Sequence, residues 1–326
     1  ADVHVFVTGA TGFVGSHVLR LLVERGEPAA ALVRPGSDRR RIADLEGRFE
    51  LLEADLDRVE RIAAELRSFA PEVVVHLAWE GVGNRYRDAP LQLERNLPRT
   101  VRLVEVAADA GAGKWVGMGS QAEYGPADVA IAEDRPPRPT TLYGEAKLTV
   151  SKAAARLCDE LGMDFAWLRL FSVYGPMDEP GWLIPMLIRE LLAGGSPPLT
   201  AGTQRWDYLY VTDVAEAVLR TAAERRAVGV FNLGSGEPRT VRSIAEAIRD
   251  RIAPGLELRF GELPFRNDQI LHLEADTRRL REATGWRPRV PFDAGITQTI
   301  EWFRDHDRPD RATGAADPAA RDGGGE

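Results

Sequence analysis

The chain has 326 residues, of which 44% are hydrophobic and 28% are charged, and its formal net charge is −8. This composition is ordinary for a globular protein with a sizeable core, and the acidic balance argues against a nucleic-acid partner. A single cysteine, Cys158, excludes an intramolecular disulfide. No run reaches the ~18 apolar residues of a membrane span, and no segment resembles a signal peptide. We therefore expect a cytoplasmic protein without a membrane anchor.

Strand-like and helix-like segments alternate over the first two-thirds of the chain. Short apolar runs predict strands, and apolar residues at helical spacing predict helices. The predicted strands are 3–7, 29–33, 49–55, 72–78, 114–120 and 164–170. The predicted helices are 13–26, 57–70, 91–111 and 140–161. This alternation favours an α/β fold in which helices cover both faces of a parallel sheet.

The pattern changes after residue 173. A helix and a turn-rich stretch lie within 176–208, and shorter strand and helix segments then follow at 208–224, 229–238 and 240–252. We expect a first domain of 1–173 plus 209–236 and a smaller second domain of 174–208 plus 237–307. The end of the chain, 308–326, is rich in Gly, Ala, Pro and charge and is predicted to be disordered.

A glycine-rich loop separates the first predicted strand from the first predicted helix. In VTGATGFVGSHV, the glycines are Gly9, Gly12 and Gly15. Glycines in this context let the backbone approach a pyrophosphate at the N-terminus of the helix. An ordinary strand–helix turn is the alternative interpretation, and the strand–helix context makes it the weaker one.

Tyr143 and Lys147 lie four residues apart in a predicted helix, which places them on one face, one turn apart. With the G-x-x-G-x-x-G spacing, this pair resembles the extended branch of the short-chain dehydrogenase/reductase superfamily, which acts largely on nucleotide sugars. The resemblance extends to about residue 305. It implies a Rossmann-type doubly wound parallel sheet with a smaller C-terminal α/β substrate-binding domain.

The resemblance also implies a catalytic set of Ser120, Tyr143 and Lys147. Ketone reduction needs hydride at carbon and a proton at oxygen. A free phenol has a pKa near ~10, and a neighbouring ammonium lowers it. In this interpretation Lys147 tunes Tyr143, and Ser120 hydrogen-bonds the substrate oxygen.

A nicotinamide cofactor is expected at the glycine loop. Arg34 stands where an acidic residue would hold the ribose hydroxyls of NAD, and Ser37 and Arg39 follow closely. A guanidinium suits the extra phosphate of NADP, so NADP(H) is favoured, with NAD(H) possible. The predicted cofactor-binding residues are Gly9, Thr11, Gly12, Phe13, Val14, Gly15, Arg34, Ser37, Asp55, Leu56, Leu77, Ala78, Asn96, Tyr143, Lys147 and Val173.

Later stretches resemble the nucleotide-sugar enzymes specifically, notably LRLFSVYGP (168–176) and QRWDYLYVTDVAEA (204–217). The resemblance implies that Arg266 binds the nucleotide diphosphate, which suits the paired donors of a guanidinium. The residues predicted to bind substrate are Trp79, Ser120, Gln121, Tyr143, Ser172, Arg205 and Arg266. The five histidines lack metal-ligand spacing, so no metal is expected. Asp178 and Glu179 are interpreted as solvated loop residues.

Departures from the family pattern narrow the predicted reaction. Dehydratases carry Asp-Glu directly after the catalytic threonine, whereas this chain has Gln121-Ala122, and Glu123 comes one place too late. The resemblance is greatest to enzymes that use NADPH to reduce the C4 keto group of a dTDP-, CDP- or GDP-linked 4-keto-6-deoxyhexose. Open alternatives are an epimerase with tightly bound NAD and a non-catalytic NAD(P)-sensing protein. The family also implies a homodimer through helices 91–111 and 140–161.

Overall fold

The computed structural model describes residues 3–306 and arranges them around a parallel β-sheet. Its strands are β1 Val5–Thr8, β2 Ala29–Val33, β3 Glu50–Glu53, β4 Val73–His76, β5 Lys114–Ser120, β6 Asp164–Leu170, β7 Ser172–Tyr174, β8 Arg205–Trp206, β9 Tyr208–Tyr210, β10 Gly229–Leu233 and β11 Arg239–Thr240. Its α-helices are α1 Phe13–Arg25, α2 Ala63–Phe69, α3 Leu91–Asp109, α4 Leu142–Leu161, α5 Leu183–Leu192, α6 Val211–Ala223, α7 Val241–Ile252, α8 Arg278–Thr284 and α9 Phe292–His306. Short 3-10 helices lie at Arg40–Leu45, Leu56–Ile62, Asn84–Tyr86 and Gln121–Glu123.

Seven strands form the central sheet in the order β10-β6-β5-β4-β1-β2-β3, and every neighbouring pair is parallel. The central strands are almost wholly apolar because both faces are covered. Helices α1 and α6 bury one face, and α3 and α4 bury the other. The predicted α/β class with a Rossmann-type doubly wound sheet is therefore confirmed.

A separate hydrophobic cluster lies beyond this sheet, where α5, α7 and α9 pack together through Leu187, Ile244 and Ile300. Two small strand pairs adjoin it, β7 with β9 in parallel and β8 with β11 antiparallel. Leu280 and Trp286, which the sequence assigns to the second domain, pack instead into the core around the main sheet. The two-domain division stays a prediction, and the segment 308–326 lies outside the described residues.

Most predicted elements coincide with the observed ones, and the largest difference is in the segment 57–70. This segment was predicted as one helix but divides into a 3-10 helix and α2. The two elements meet at Ile62, whose φ of −97° and ψ of 9° are not those of an α-helix, and the 3-10 helix is itself kinked at Arg58, where φ is −136°. Asp55 caps the start of this segment by accepting a hydrogen bond from Asp57 N at 3.0 Å, and the Asp57 carboxylate turns toward α3 to meet Arg99. These tertiary contacts override the helical periodicity.

Candidate active site

A cavity of about 500 Å3 opens at the carboxyl ends of the sheet strands, where open α/β sheets place their ligands. The residues that follow β1, β2, β3 and β4 all contribute to its wall, together with the end of β5 and the start of α4. Of the predicted site residues, the cavity is lined by Gly9, Thr11, Gly12, Phe13, Val14, Gly15, Arg34, Ser37, Asp55, Leu56, Leu77, Ala78, Trp79, Asn96, Tyr143 and Lys147.

The glycine loop leaves the N-terminus of α1 open toward this cavity. Gly9 has φ +75°, and a Cβ there would lie 2.6 Å from Ala78 N, so the close approach of two backbones requires glycine. A Cβ at Gly15 would lie 2.0 Å from Gly9 O. Gly12 is the N-cap residue and supplies no side-chain hydrogen bond to the first turn. The first N–H groups of α1 can therefore hold a pyrophosphate.

Polar side chains line the cavity where β2 and β3 end. Arg34 is exposed, and among the described residues its guanidinium has no hydrogen bond or ion pair. Ser37 Oγ donates to Arg34 O at 2.7 Å, which fixes the turn that presents the side chain. Arg39, by contrast, pairs with Glu53 at 2.5 Å. Arg34 is thus the guanidinium of this region that is available to a ligand.

Tyr143 and Lys147 face the cavity from the first turns of α4. The helix begins after Thr141, whose hydroxyl accepts from Gly144 N at 3.1 Å, a standard N-cap. Lys147 Nζ donates to Met118 O at 2.9 Å and lies 5.6 Å from the centre of the Tyr143 ring. The two side chains therefore lie on the same face of α4, one helical turn apart.

Trp79 completes this group. Its ring centre lies 4.0 Å from Lys147 Nζ, a cation–π distance, and it meets the Tyr143 ring edge-to-face at 6.2 Å. Trp79 Nε1 donates to Gln92 Oε1 at 2.8 Å, and Gln92 in turn donates to Tyr86 O at 3.0 Å. The indole is therefore held in place beside both side chains.

Ser120 and Gln121 lie next to the cavity rather than in its wall. Both are buried at the end of β5, and the preceding residues Met118 and Gly119 line the cavity. Ser120 Oγ accepts from Ala122 N at 3.0 Å, and Glu123 reaches back to accept from Ser120 N at 2.8 Å. This capping box fixes the turn that follows β5.

Four other predicted residues do not reach this cavity. Val173 and Ser172 are buried in β7, and Ser172 Oγ has no hydrogen-bond partner within the described part of the chain. Arg205 is exposed on β8 and donates to Pro238 O at 3.1 Å. Arg266 lies 3.6 Å from Asp268. These four residues can contact a cofactor or substrate only if part of that ligand lies outside the cavity.

Arg99 is a cavity residue that the sequence did not reveal. Its side chain is 11% exposed and hydrogen-bonds Asp57 at 2.6 Å and Glu80, while Asp55 lies at 3.7 Å. The hydrogen bond with Asp57 raises the pKa of Arg99 and lowers the pKa of the Asp57 carboxyl. Because Arg99 follows Asn96 by three residues on α3, helical spacing was the signal that could have identified it.

The interpretation of Asp178 as solvated was wrong. Asp178 is 6% exposed and lines the cavity together with Glu179 and Trp182. Burial raises the pKa of the Asp178 carboxyl well above its ordinary value. Burial, followed by the charge of this carboxyl, also raises the pKa of the buried Tyr208 phenol. No local pattern signals such burial, because the covering residues come from distant parts of the chain.

Other structural features bear on the class of protein. His76 is a core histidine at the end of β4, buried with its Nδ1 2.6 Å from Thr8 Oγ1. Within residues 3–306, no group of three or more His, Cys, Asp or Glu side chains is arranged to hold a metal ion. No helix in that same range combines the length and apolar character needed to cross a bilayer.

Known proteins resemble this chain over nearly its whole length. It is 30% identical over 308 residues to the UDP-glucose 4-epimerase of Mycolicibacterium smegmatis, covering 91% of this chain and 97% of that protein. It is 28% identical over 315 residues to the GDP-6-deoxy-D-mannose reductase of Pseudomonas aeruginosa, covering 91% and 96%. Among solved structures, DesIV, the dTDP-glucose 4,6-dehydratase of Streptomyces venezuelae with NAD bound, matches with TM-score 0.84 and 26% identity, covering 93% of this chain and 97% of that one.

The family model described as the NAD dependent epimerase/dehydratase family matches residues 5–234. That range runs from the first residue of β1 through the glycine loop, Tyr143 and Lys147 to the end of β10, so it contains the whole central sheet and the cavity wall. The chain belongs to the NAD dependent epimerase/dehydratase family of the short-chain dehydrogenase/reductase superfamily.

Proposed function

We propose that the protein is an NADPH-dependent reductase of the C4 keto group of a nucleotide-activated 4-keto-6-deoxyhexose. The observation that carries this proposal is Arg34, an exposed guanidinium without a partner in the described structure, which lines the same cavity as Tyr143 and Lys147. A guanidinium there matches a ribose 2′-phosphate, which an acidic residue would repel. Reductases that turn over NADPH need this discrimination, because cofactor must bind and leave in each cycle.

Tyr143, Lys147 and Ser120 have separate roles in such a reduction. NADPH, held at the glycine loop and Arg34, would supply the hydride to C4. Tyr143 gives its phenolic proton to the C4 oxygen, so the ketone becomes a secondary alcohol. Lys147, 5.6 Å from the ring centre of Tyr143, stabilises the phenolate that remains until a proton returns from solvent. Ser120, at the end of β5, is proposed to orient the ketone oxygen.

Gln121 and Ala122 support reduction over dehydration. Loss of water from a sugar needs an acid and a base placed after the catalytic hydroxyl residue, and neither of these side chains ionises. Glu123 is the nearest carboxylate in sequence, yet it is 0% exposed and committed to Ser120 N, Trp167 and Arg169. A carboxylate with these fixed partners is unsuited to exchange protons with a substrate.

The decisive experiment compares NADPH and NADH oxidation across dTDP-, CDP- and GDP-linked 4-keto-6-deoxy sugars, with the product identified by NMR. We expect oxidation of NADPH with at least one substrate. Arg34→Ala should raise KM for NADPH about tenfold or more, since a hydrogen bond to a charged group contributes ~1.5–3 kcal/mol, and change KM for NADH little. Arg40→Ala, at a neighbouring exposed arginine outside the cavity, is the matched control.

A nucleotide-sugar 4-epimerase is the second candidate, because a relative of that activity from Mycolicibacterium smegmatis is 30% identical. Such an enzyme would retain NAD through purification and interconvert two sugars without net cofactor oxidation. Copurified NAD, together with no NADPH oxidation by any substrate in the panel, would replace the reductase proposal by this one.

We further propose a homodimer through α3 and α4. These helices pack side by side against the sheet, and Leu93, Leu142 and Leu161 on them are exposed by 41%, 39% and 44%. Exposed apolar residues on adjacent long helices are typical of a subunit interface. Light scattering after size-exclusion chromatography should give a molar mass twice that of one chain. In the Leu93→Glu variant the molar mass should fall to that of a single chain. A wild-type monomer at micromolar concentration would contradict the proposal.

A further inference from the structure

A second cavity, of about 370 Å3, lies apart from the cofactor cavity and shares no lining residue with it. It is formed by the ends of β7 and β9, the turn after β10, β11, α8 and the segment between α8 and α9. Its lining includes the aromatic residues Tyr174, Tyr210 and Phe292. Its volume is within the usual range for small-molecule sites, ~300–1,000 Å3.

Four arginines surround this cavity, namely Arg239, Arg281, Arg287 and Arg289. Among residues 3–306 none of the four forms an ion pair within 4.0 Å, although the chain as a whole is acidic, with net charge −8. Among the described residues of the wall, Glu237 is the one acidic residue, so these residues carry three net positive charges. Guanidiniums that lack a close ion-pair partner around a concave site attract an anion.

The nearby carboxylates are already occupied by other partners. Asp213 accepts hydrogen bonds from Arg289 N at 3.0 Å and Val290 N at 2.9 Å. Asp276 instead pairs with Arg278, at 2.6 Å. These acids therefore fix the backbone next to the cavity. They form no ion pair within 4.0 Å with its arginines in the described structure, although the charges of Arg289 and Arg281 act on the Asp213 and Asp276 carboxyls.

Contacts within the wall hold the cavity in shape before any ligand binds. Arg239 lies over the Phe292 ring, 4.4 Å from its centre. Arg281 Nη2 is 3.5 Å from Ser235 O, and its buried Nε has no hydrogen-bond partner in the described structure. Trp286 Nε1 donates to Asp213 O at 3.0 Å and anchors the segment that carries the remaining two arginines. Preorganised donors reduce the entropy cost of binding.

We propose that this second cavity binds a compact diphosphate anion, either inorganic pyrophosphate or the diphosphate group of a nucleotide. Two adjacent phosphoryl groups offer enough acceptor oxygens for several guanidinium forks and balance a lining of three net positive charges. A carboxylate or a single phosphate would leave some of these forks unpaired. The start of α9 at Phe292 adds the positive end of a helix dipole to the same site.

The proposal is tested by calorimetric titration of the full chain with inorganic pyrophosphate and, separately, with ADP. Saturating NADP+ is present to fill the cofactor cavity. We expect pyrophosphate to bind, and the ADP titration shows whether the site also accepts a nucleoside. Arg287→Gln/Arg289→Gln should weaken binding about tenfold or more, because charge-assisted hydrogen bonds are lost. Arg225→Gln/Arg226→Gln removes the same charge from exposed positions outside the cavity and should leave Kd unchanged.

Arg239→Gln serves as an independent variant and should also weaken binding, because Arg239 enters the cavity from a different element. All these positions are exposed, so thermal unfolding midpoints should match that of the wild type. The proposal is overturned if wild-type protein binds neither anion, or if the cavity variants and the control variant have the same Kd. No substrate turnover enters the measurement, so its outcome is independent of the proposed reductase activity.

Discussion

Trp79 is placed to influence both proposed reacting side chains. Its ring face receives the Lys147 ammonium at 4.0 Å, and its edge meets Tyr143. A cation over an indole is stabilised in its charged form, and a charged Lys147 is what lowers the pKa of a neighbouring phenol. We therefore propose that Trp79 positions Lys147 in this reduction.

Tyr143→Phe should abolish most of the proposed turnover. Removal of the phenolic proton donor costs about 10²–10⁴-fold in kcat, whereas cofactor binding should be retained because the ring remains in place. Steady-state kinetics and cofactor titration measure the two effects separately. Tyr86→Phe removes a phenolic hydroxyl from a residue that lines neither cavity and is the control. Full turnover by Tyr143→Phe would exclude its role as proton donor.

Glu123 has a structural role at the end of β5. Its carboxylate accepts from Ser120 N at 2.8 Å, Trp167 Nε1 at 3.0 Å and Arg169 Nε at 3.0 Å. The Glu123 and Arg169 side chains are 0% and 5% exposed. Such a network fixes the turn that presents Ser120, although the burial of both charges offsets much of its stabilising effect.

Glu123→Gln should lower the free energy of unfolding by about 3–5 kcal/mol, because Arg169 is left as an uncompensated buried charge. Denaturant titration measures this loss. Glu160→Gln is the matched control, since it removes one partner of an exposed ion pair with Arg156 and should cost no more than about 0.5 kcal/mol. Equal losses in the two variants would show that burial does not determine the effect.

At the scale of elements, Arg41 joins three segments around the cofactor cavity. From the 3-10 helix Arg40–Leu45 it donates to Met177 O at 2.9 Å, Glu179 Oε1 at 2.6 Å and Thr11 O at 3.3 Å. Thr11 belongs to the glycine loop. The segment after β7 is thereby tied to the loop that is expected to hold the pyrophosphate.

Arg41→Ala should release the segment 176–182. Hydrogen bonds to a charged group contribute ~1.5–3 kcal/mol each, so amide exchange in this segment should accelerate about tenfold or more. Exchange followed by mass spectrometry measures the change, and KM for the cofactor should rise. Arg48→Ala removes an exposed arginine from the same region and should leave exchange unchanged. Unchanged protection of 176–182 in Arg41→Ala would contradict this coupling.

At the scale of the whole molecule, two buried histidines make stability depend on pH. Burial, followed by the charge of Lys147, lowers the pKa of His76 to about 3, and burial lowers the pKa of His17 to about 4. Their ordinary value is 6.5. The unfolded chain therefore binds protons that the folded chain does not as the pH falls below about 6.5. The contribution of each histidine to stability falls until the pH reaches its folded-state pKa, about 4 for His17 and about 3 for His76.

His17→Gln should reduce the acid sensitivity of the protein. From the pKa of about 4, the loss of stability between pH 7 and 5 should be about 2 kcal/mol smaller in the variant. The comparison with wild type is essential because the raised pKa of Asp178 acts in the opposite direction. Urea unfolding at both pH values gives the difference. Parallel losses in the two proteins would contradict a buried neutral His17.

The sequence by itself determined the order of the elements, the parallel sheet, the glycine loop and the Tyr143/Lys147 pair. These features depend on local periodicity and turn chemistry, which are readable within a few residues. Strands 114–120 and 164–170 were predicted with their observed bounds for the same reason. The family resemblance added a prediction of the enzyme class and of a nicotinamide cofactor.

Only the tertiary structure decided which charges are buried and which meet. Asp178 is covered, Glu123 pairs with Arg169 at a separation of 46 residues, and the second cavity collects arginines from β11 to the segment before α9. Tertiary contacts also divide the predicted helix 57–70 into two elements, and they place Arg205 and Arg266 outside the cofactor cavity. Burial and ion pairing depend on packing between distant segments, which no local pattern encodes.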